Sequence, residues 1–219
     1  TISNLMDEGK LPKIPVFLDS PLAIHVTDIY RKWSVEYFND KVASELTREK
    51  DIFSFATLQE TLSRGDSQDI GAVPNPKIIM AGAGMSHGGR IGRWEQMYLP
   101  DPDTTLFIVG YHAPGSPGRL LQSVAKVVKI DGRPVKVRAK IGSYMGWSAH
   151  ADRDGLMEFA KAALPRTKTF FTALGEPACS LFLAQRIHDY LGGTAYAPIK
   201  GDVWEITKQG AKKVSLPAV

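Results

Sequence analysis

Gly142-Ser-Tyr-Met-Gly-Trp-Ser-Ala-His-Ala-Asp152 is a loop of small residues that ends in Ser-Ala-His-x-Asp and runs directly into an amphipathic segment. An apolar run precedes it and helical spacing follows it, so it reads as a strand-to-helix corner, the unit from which α/β sheets are built. Loops at such corners carry chemistry more often than packing, which makes His150 the first candidate catalytic residue. Asp152 is suited either to orient that imidazole or to cap the helix that follows.

Outward from this corner the same arrangement recurs. Residues 15–18 form a short apolar strand, and Asp19-Ser20-Pro21 then offers a capping residue with proline at the first helical position. Leu22, Val26, Ile29, Tyr30, Trp33 and Tyr37 follow at helical spacing. Residues 39–76 are polar and irregular and predict a short helix and loops around a weak apolar cluster at Ile52–Phe55. The run Lys77–Ala81 predicts a strand, Gly82–Arg90 a glycine-rich loop, and Ile91–Leu99 a helix stopped by Pro100-Asp-Pro102. Thr105–Val109 is the next strand and leads into a second such loop, Gly110–Arg119.

The pattern changes near residues 120–124. Val124–Ile130 and Val135–Ile141 alternate in places and flank Asp131-Gly132, which signals a hairpin. Beyond His150 the spacing predicts a helix over 154–163, a strand over 168–172 and a turn at Leu174–Pro177. A second helix through Leu181, Leu183, Ala184, Ile187 and Leu191 is closed by Gly192-Gly193, and short strands over 194–197 and 203–206 follow.

Composition narrows the class. At 219 residues, 43% hydrophobic and 23% charged, the chain has ample core for one large or two small domains. A net charge of +4, from 27 basic and 23 acidic residues, permits an acidic polymer as partner without demanding one. A single cysteine, Cys179, rules out an internal disulfide framework and suits a reducing cytoplasm. No apolar run approaches the ~20 residues that span a bilayer, so no membrane partner is expected. The start lacks an initiator methionine and reads like the end of a helix stopped by Gly9, the signature of a fragment of a longer chain.

Two glycine-rich corners in succession favour a polyanion groove. In the first, Ser86, Gly88, Gly89 and Arg90 sit where backbone N–H groups at a helix start can face an anion. No Gly-Lys-Ser/Thr closes it, so it is not a P-loop. In the second, Ser116, Gly118 and Arg119 add a hydroxyl and a guanidinium that fits phosphate bidentately. Each loop alone also suits a plain turn with a surface arginine. Of the other histidines, His25 and His188 fall within expected helices, and none of His25, His87, His112, His150 or His188 forms a His-x-His or His-Glu-x-x-His pair. No metal ligand is assigned in this chain, and no Gly-x-Ser-x-Gly elbow is present.

Together Asp19-Ser-Pro-Leu-Ala23, Gly84-Met-Ser-His-Gly-Gly-Arg90, Gly110–Arg119, Ser148-Ala-His-Ala-Asp152 and Leu174-Gly-Glu176 resemble the β-CASP branch of the metallo-β-lactamase-fold nucleases, such as ribonuclease J-like enzymes. The resemblance implies an α/β fold: a Rossmann-like β-CASP domain over residues 1–120, then the C-terminal part of a metallo-β-lactamase αββα sandwich over residues 121–219. It implies that His150, with Asp152, assists at the scissile phosphate. It also implies that Ser86, Gly88, Gly89, Arg90, Ser116, Gly118, Arg119 and Ser148 hold a single-stranded RNA backbone. Zinc is expected in the full-length parent, because the family's His-x-His-x-Asp-His motif belongs upstream, and none is securely held by this chain alone. The family's third motif places a histidine where this chain has Leu174.

The expected function is therefore the C-terminal portion of a metal-dependent RNA phosphodiesterase, inactive by itself and cytoplasmic. The alternative is a non-catalytic single-stranded RNA-binding module or partner subunit. Half of a sandwich would expose sheet edge and apolar face, so a missing N-terminal half, a companion chain or self-association is expected to cover it.

Overall fold

The computed structural model describes residues 2–40, 42–43, 51–82, 84–148 and 150–214. It divides into two compact units, Thr1–Ser148 and Ala149–Val219. The expected short helix within 39–76 falls partly on residues 41 and 44–50, outside the described residues.

The first unit begins with helix α1, Ile2–Asp7, and strand β1, Val16–Asp19. Helix α2, Pro21–Tyr37, starts on its proline, with the Ala23 N–H reaching back to Ser20 Oγ at 3.4 Å. Its apolar periodicity marks the helix correctly but not the buried side. Ile24 is buried, whereas Leu22, Val26, Ile29, Trp33 and Tyr37 are exposed. Strand β2, Leu58–Glu60, and helix α3, Arg64–Asp69, occupy the stretch expected to be loop and short helix. Gln59 and Glu60 give β2 no apolar alternation, and the strand pairs with β1 at one edge of its sheet.

Strand β3, Ile78–Ala81, and helix α4, Gly89–Tyr98, follow, and β2-β1-β3 form a parallel sheet in that order. Strand β4, Thr105–Val109, helix α5, Pro117–Gln122, and the hairpin strands β5, Val127–Ile130, and β6, Arg133–Lys136, come next. The hairpin turns through Asp131 and Gly132, with φ of 49° and 80°, as a two-residue turn of this kind requires. The sequence pattern carries the second hairpin strand on to Ile141, but the chain breaks after Lys136. The N–H groups of Arg138 and Ala139 both donate to Leu99 O, at 2.8 and 2.9 Å. This bend releases the chain to form strand β7, Lys140–Tyr144, which pairs in parallel with β4.

Among the described residues the parallel strands pair in separate groups. The β4–β7 ribbon is separate from β2-β1-β3, and a cavity of about 410 Å³ lies against β3, α4 and the start of β4. Leu99, Ile108, Leu121, Val128, Ile130, Val135 and Ala139 form the core beneath the ribbon and hairpin.

The second unit contains helix α6, Arg153–Ala163, strand β8, Phe170–Phe171, and helix α7, Pro177–Leu191, which ends on left-handed Gly192. Strand β9, Ala195–Tyr196, pairs in parallel with β8, and strands β10, Val203–Thr207, and β11, Gly210–Val214, form an antiparallel hairpin. Phe171, Tyr196 and Trp204 pack as an aromatic cluster, with centroids 4.5 to 6.0 Å apart. Among the described residues no helix is long and apolar enough to cross a membrane.

The first unit is tied together at Asp19, which is fully buried at the end of β1. Its Oδ1 accepts from Thr61 Oγ1 at 2.7 Å and Arg90 Nη1 at 2.6 Å. Its Oδ2 accepts from Ser67 Oγ at 2.8 Å and Trp94 Nε1 at 2.7 Å. Burial alone would raise the carboxyl's pKa, but the bonds from Thr61, Trp94, Ser67 and Arg90 outweigh it and hold the group below its ordinary value. A folded pKa below the unfolded one means that this stability is present above pH ~4 and is lost as pH falls through the folded value. Asp19→Ala strands Arg90 and three neutral donors and is expected to cost about 3 kcal/mol in urea unfolding, the low end for a broken buried pair because Arg90 keeps an exposed edge. Below pH ~4 the penalty relative to wild type should shrink.

Candidate functional site

The loop between β3 and α4 turns through three positive-φ residues, Ser86 at 55°, Gly88 at 67° and Gly89 at 68°. Tight turns of this kind form the backbone concavities that receive anions. A serine is rare there, and its side chain shows why this one is held. Ser86 is buried and its Oγ donates to Glu95 Oε1 at 2.7 Å. Arg90 also points inward: besides Asp19, its guanidinium donates to the carbonyls of Thr61, Leu62 and Ser63 at 2.6 to 3.0 Å. The sequence assigns Ser86 and Arg90 to a nucleic-acid backbone. The structure instead gives their polar atoms protein partners that fix the loop's shape.

The second loop sits against the first. The Gly118 N–H donates to Met85 O at 3.4 Å, and the Ala113 N–H to Met85 Sδ at 3.0 Å. Ser116 caps α5, its Oγ accepting from the Arg119 N–H at 3.2 Å, with Pro117 at the first helical position. Arg119 Nη1 donates to His112 O at 3.3 Å. Gly118 is required by close approach: a Cβ there would lie 1.7 Å from His112 Nδ1. The structure thus gathers Ser86, Gly88, Gly89, Arg90, Ser116, Gly118 and Arg119 into one pair of stitched loops.

Ser148 ends the first unit, exposed beside Trp147, whose ring meets Tyr144 edge-on at 5.4 Å. In the second unit His150 is exposed, two residues before Asp152, the cap of α6. Asp152 Oδ1 accepts from the Gly155 N–H at 2.9 Å. Of its two possible duties, capping is the one for which the structure shows the bond. Leu174 is fully exposed with φ of 68°, on the turn before α7.

Sequence reasoning misses two groups. Glu95 is 3% exposed, its Oε2 has no hydrogen-bond partner among the described residues, and its pKa is raised by burial, with Ser86 opposing and Asp131 adding. His112 is buried, Nδ1 likewise lacks a partner, and burial lowers its pKa. Neither stands in a motif with a chemical spacing. The one available signal was a carboxylate inside a helix otherwise read for its apolar face. Among the described residues no three His, Cys, Asp or Glu side chains gather as a metal site, so these residues do not by themselves fit a zinc ion.

Parallel strands that end in paired glycine-rich corners, followed by helices, define an α/β protein. The chain belongs to the β-CASP family: the Beta-Casp domain model matches residues 1–121, more than half of it. A second model, described as a Zn-dependent metallo-hydrolase RNA specificity domain, matches residues 134–198. The chain is 33% identical over 150 residues to "Ribonuclease TTHA0252" of Thermus thermophilus, covering 68% of this chain and 35% of that protein. It is 29% identical over 194 residues to "Transcription termination factor FttA" of Methanosarcina mazei, covering 84% and 30%. It is 27% identical over 205 residues to an "RNase J-like protein" of Methanocaldococcus jannaschii, covering 94% and 46%. The chain spans less than half the length of these relatives.

Two substitutions test the loops. Gly118→Ala forces His112 out of its seat and should lower stability by about 1–3 kcal/mol in urea unfolding. Glu95 has a folded pKa above its unfolded one, so its ionisation opposes folding as pH rises from ~4.5. Glu95→Gln should therefore gain stability relative to wild type as pH rises above ~4.5, the gain levelling off once the wild-type carboxyl is ionised in the folded state.

Proposed function

We propose that this chain supplies the RNA-gripping and phosphate-orienting part of an RNA-processing nuclease of the β-CASP family. The observation that carries the reading is the succession along one chain of a Beta-Casp match over 1–121 and an RNA specificity match over 134–198. In this reading residues 1–120 are the cap and residues 121–219 the returning part of a lactamase-type sandwich. Arg119 and the Ser148 hydroxyl hold phosphate oxygens and Gly88 and Gly89 let the backbone come close, while buried Ser116 and Gly118 act from behind by capping α5 and seating His112. Ser86 and Arg90 act one step back, by fixing the first loop.

His150 is the catalytic candidate. Its exposed imidazole can donate to a phosphate oxygen or act in proton transfer, and the Asp152 cap fixes the corner that presents it. Zinc, which the family description names, would supply an activated water in the whole enzyme. The described residues do not fit that ion, so no step is assigned through it. The same reading includes a companion half, in this polypeptide or another, and the exposed Phe107 and Val109 on β4 offer an apolar face for it. The enzyme would act in a reducing compartment, which exposed, free Cys179 suits.

A second reading, a non-catalytic RNA-binding module, is favoured by Leu174, whose side chain cannot bind zinc. Cleavage and binding of a labelled single-stranded RNA by the polypeptide carrying this chain decide between them. His150→Ala should reduce cleavage about 10²–10⁴-fold with little change in Kd. Unchanged cleavage would refute the role of His150. Tight binding with no cleavage in the zinc-loaded wild type would establish the second reading.

A further inference from the structure

The chain's positive charge is concentrated in one place. Lys126, Lys129, Arg133, Lys136, Arg138 and Lys140 fall within fifteen residues that contain a single acid, Asp131, so this stretch carries more net charge than the +4 of the whole chain. All six are exposed, and among the described residues none of them forms an ion pair.

The hairpin's register puts Lys129 and Lys136 on its solvent face, whereas Arg133, opposite Ile130, and Lys126, in step with Val128, are exposed at the ends of its buried side. Val128 pairs with Val135, and both are buried in the core with Ile130, so that side of the ribbon is pinned inward. Val127 pairs with Lys136 and Lys129 with Pro134, which puts Lys129 and Lys136 on the opposite, solvent side as diagonal neighbours, about 7–8 Å apart. The Val137 N–H donates to Lys126 O at 2.8 Å, extending the ladder to Lys126 and Val137. Asp131, which accepts from Gln96 Nε2 of α4 at 3.1 Å, offsets only one of these six charges.

Like charges concentrated on one exposed stretch repel one another and raise the local concentration of polyanion. We infer that the outer face of the β5–β6 hairpin and its continuation to Lys140 is a second RNA-backbone contact, distinct from the stitched loops. It holds the phosphates of a single strand by charge, without reading bases. The inference rests on the RNA-binding reading above, and it adds a surface that needs neither the glycine-rich loops nor His150.

Fluorescence anisotropy with a labelled single-stranded RNA of mixed sequence, across about 50 to 300 mM salt, tests it. The triple variant Lys129→Gln, Lys136→Gln, Arg138→Gln should weaken binding at least about tenfold at low salt. It should also flatten the slope of log K against log salt by about 2, near 0.7 for each phosphate that is no longer neutralised. A control triple, Lys13→Gln, Lys32→Gln, Lys208→Gln, removes the same charge and should change both by much less. Equal weakening in the two triples would reduce the effect to net charge and overturn the strip. Wild-type binding with an unchanged hairpin triple would overturn the strip alone and leave the RNA reading standing. No RNA binding by wild type would overturn both. Hairpin-dependent binding to phosphatidylserine vesicles without binding to RNA would make the strip a membrane contact and overturn the inference.

Discussion

A carboxylate buried without compensation is expensive, and the first unit is arranged around avoiding that cost at Asp19. Its four donors come from the end of β2, from α3 and from two turns of α4, so one side chain fixes these elements to one strand end. Hydrogen bonds of this kind constrain direction as well as energy. With Arg90 held on Asp19 and on the carbonyls that follow β2, the first residues of α4 cannot rotate, and the glycine-rich loop before them inherits a fixed exit. The Ser86–Glu95 bond fixes the loop from inside, and Met85 joins it to the second loop. The result is a loop surface shaped in advance by side chains that need never touch a ligand.

Glu95 and Asp19 show how burial and hydrogen bonding divide two carboxylates of one unit. Asp19 has four donors and stays ionised below the usual range. Glu95 has one and is pushed the other way. The pair sets opposite pH trends in the same fold.

Much of the chain's plan was legible in its sequence, for identifiable reasons. Strands bounded by glycine or proline, such as β1, β3 and β4, and helices with local start and stop signals, such as α4, α6 and α7, declare themselves within a few residues. The β-CASP membership was legible in five short motifs whose residues are small, charged or turn-forming. What failed was non-local. Strand β2 has no apolar alternation and is defined by its pairing with distant β1; the break after Lys136 is caused by a carbonyl of Leu99, far away in sequence; and the buried side of α2 belongs to Ile24 rather than to its wider apolar stripe. The inward commitment of Arg90 was invisible too, since an arginine after two glycines reads alike whether it meets a phosphate or a buried aspartate. Asp152 was legible as one of two things, and the structure supplies the bond for the helix cap.

The central claim is that the stitched loops, the His150 corner and the basic hairpin meet RNA. Photo-crosslinking of the intact polypeptide to single-stranded RNA carrying 4-thiouridine, with the crosslinked peptides identified by mass spectrometry, addresses it most directly. The account requires adducts within 110–119, within 145–150 and within 126–140. Adducts confined to other surfaces, such as the exposed stripe of α2, or none at all under conditions where a control RNA-binding protein is labelled, would contradict it.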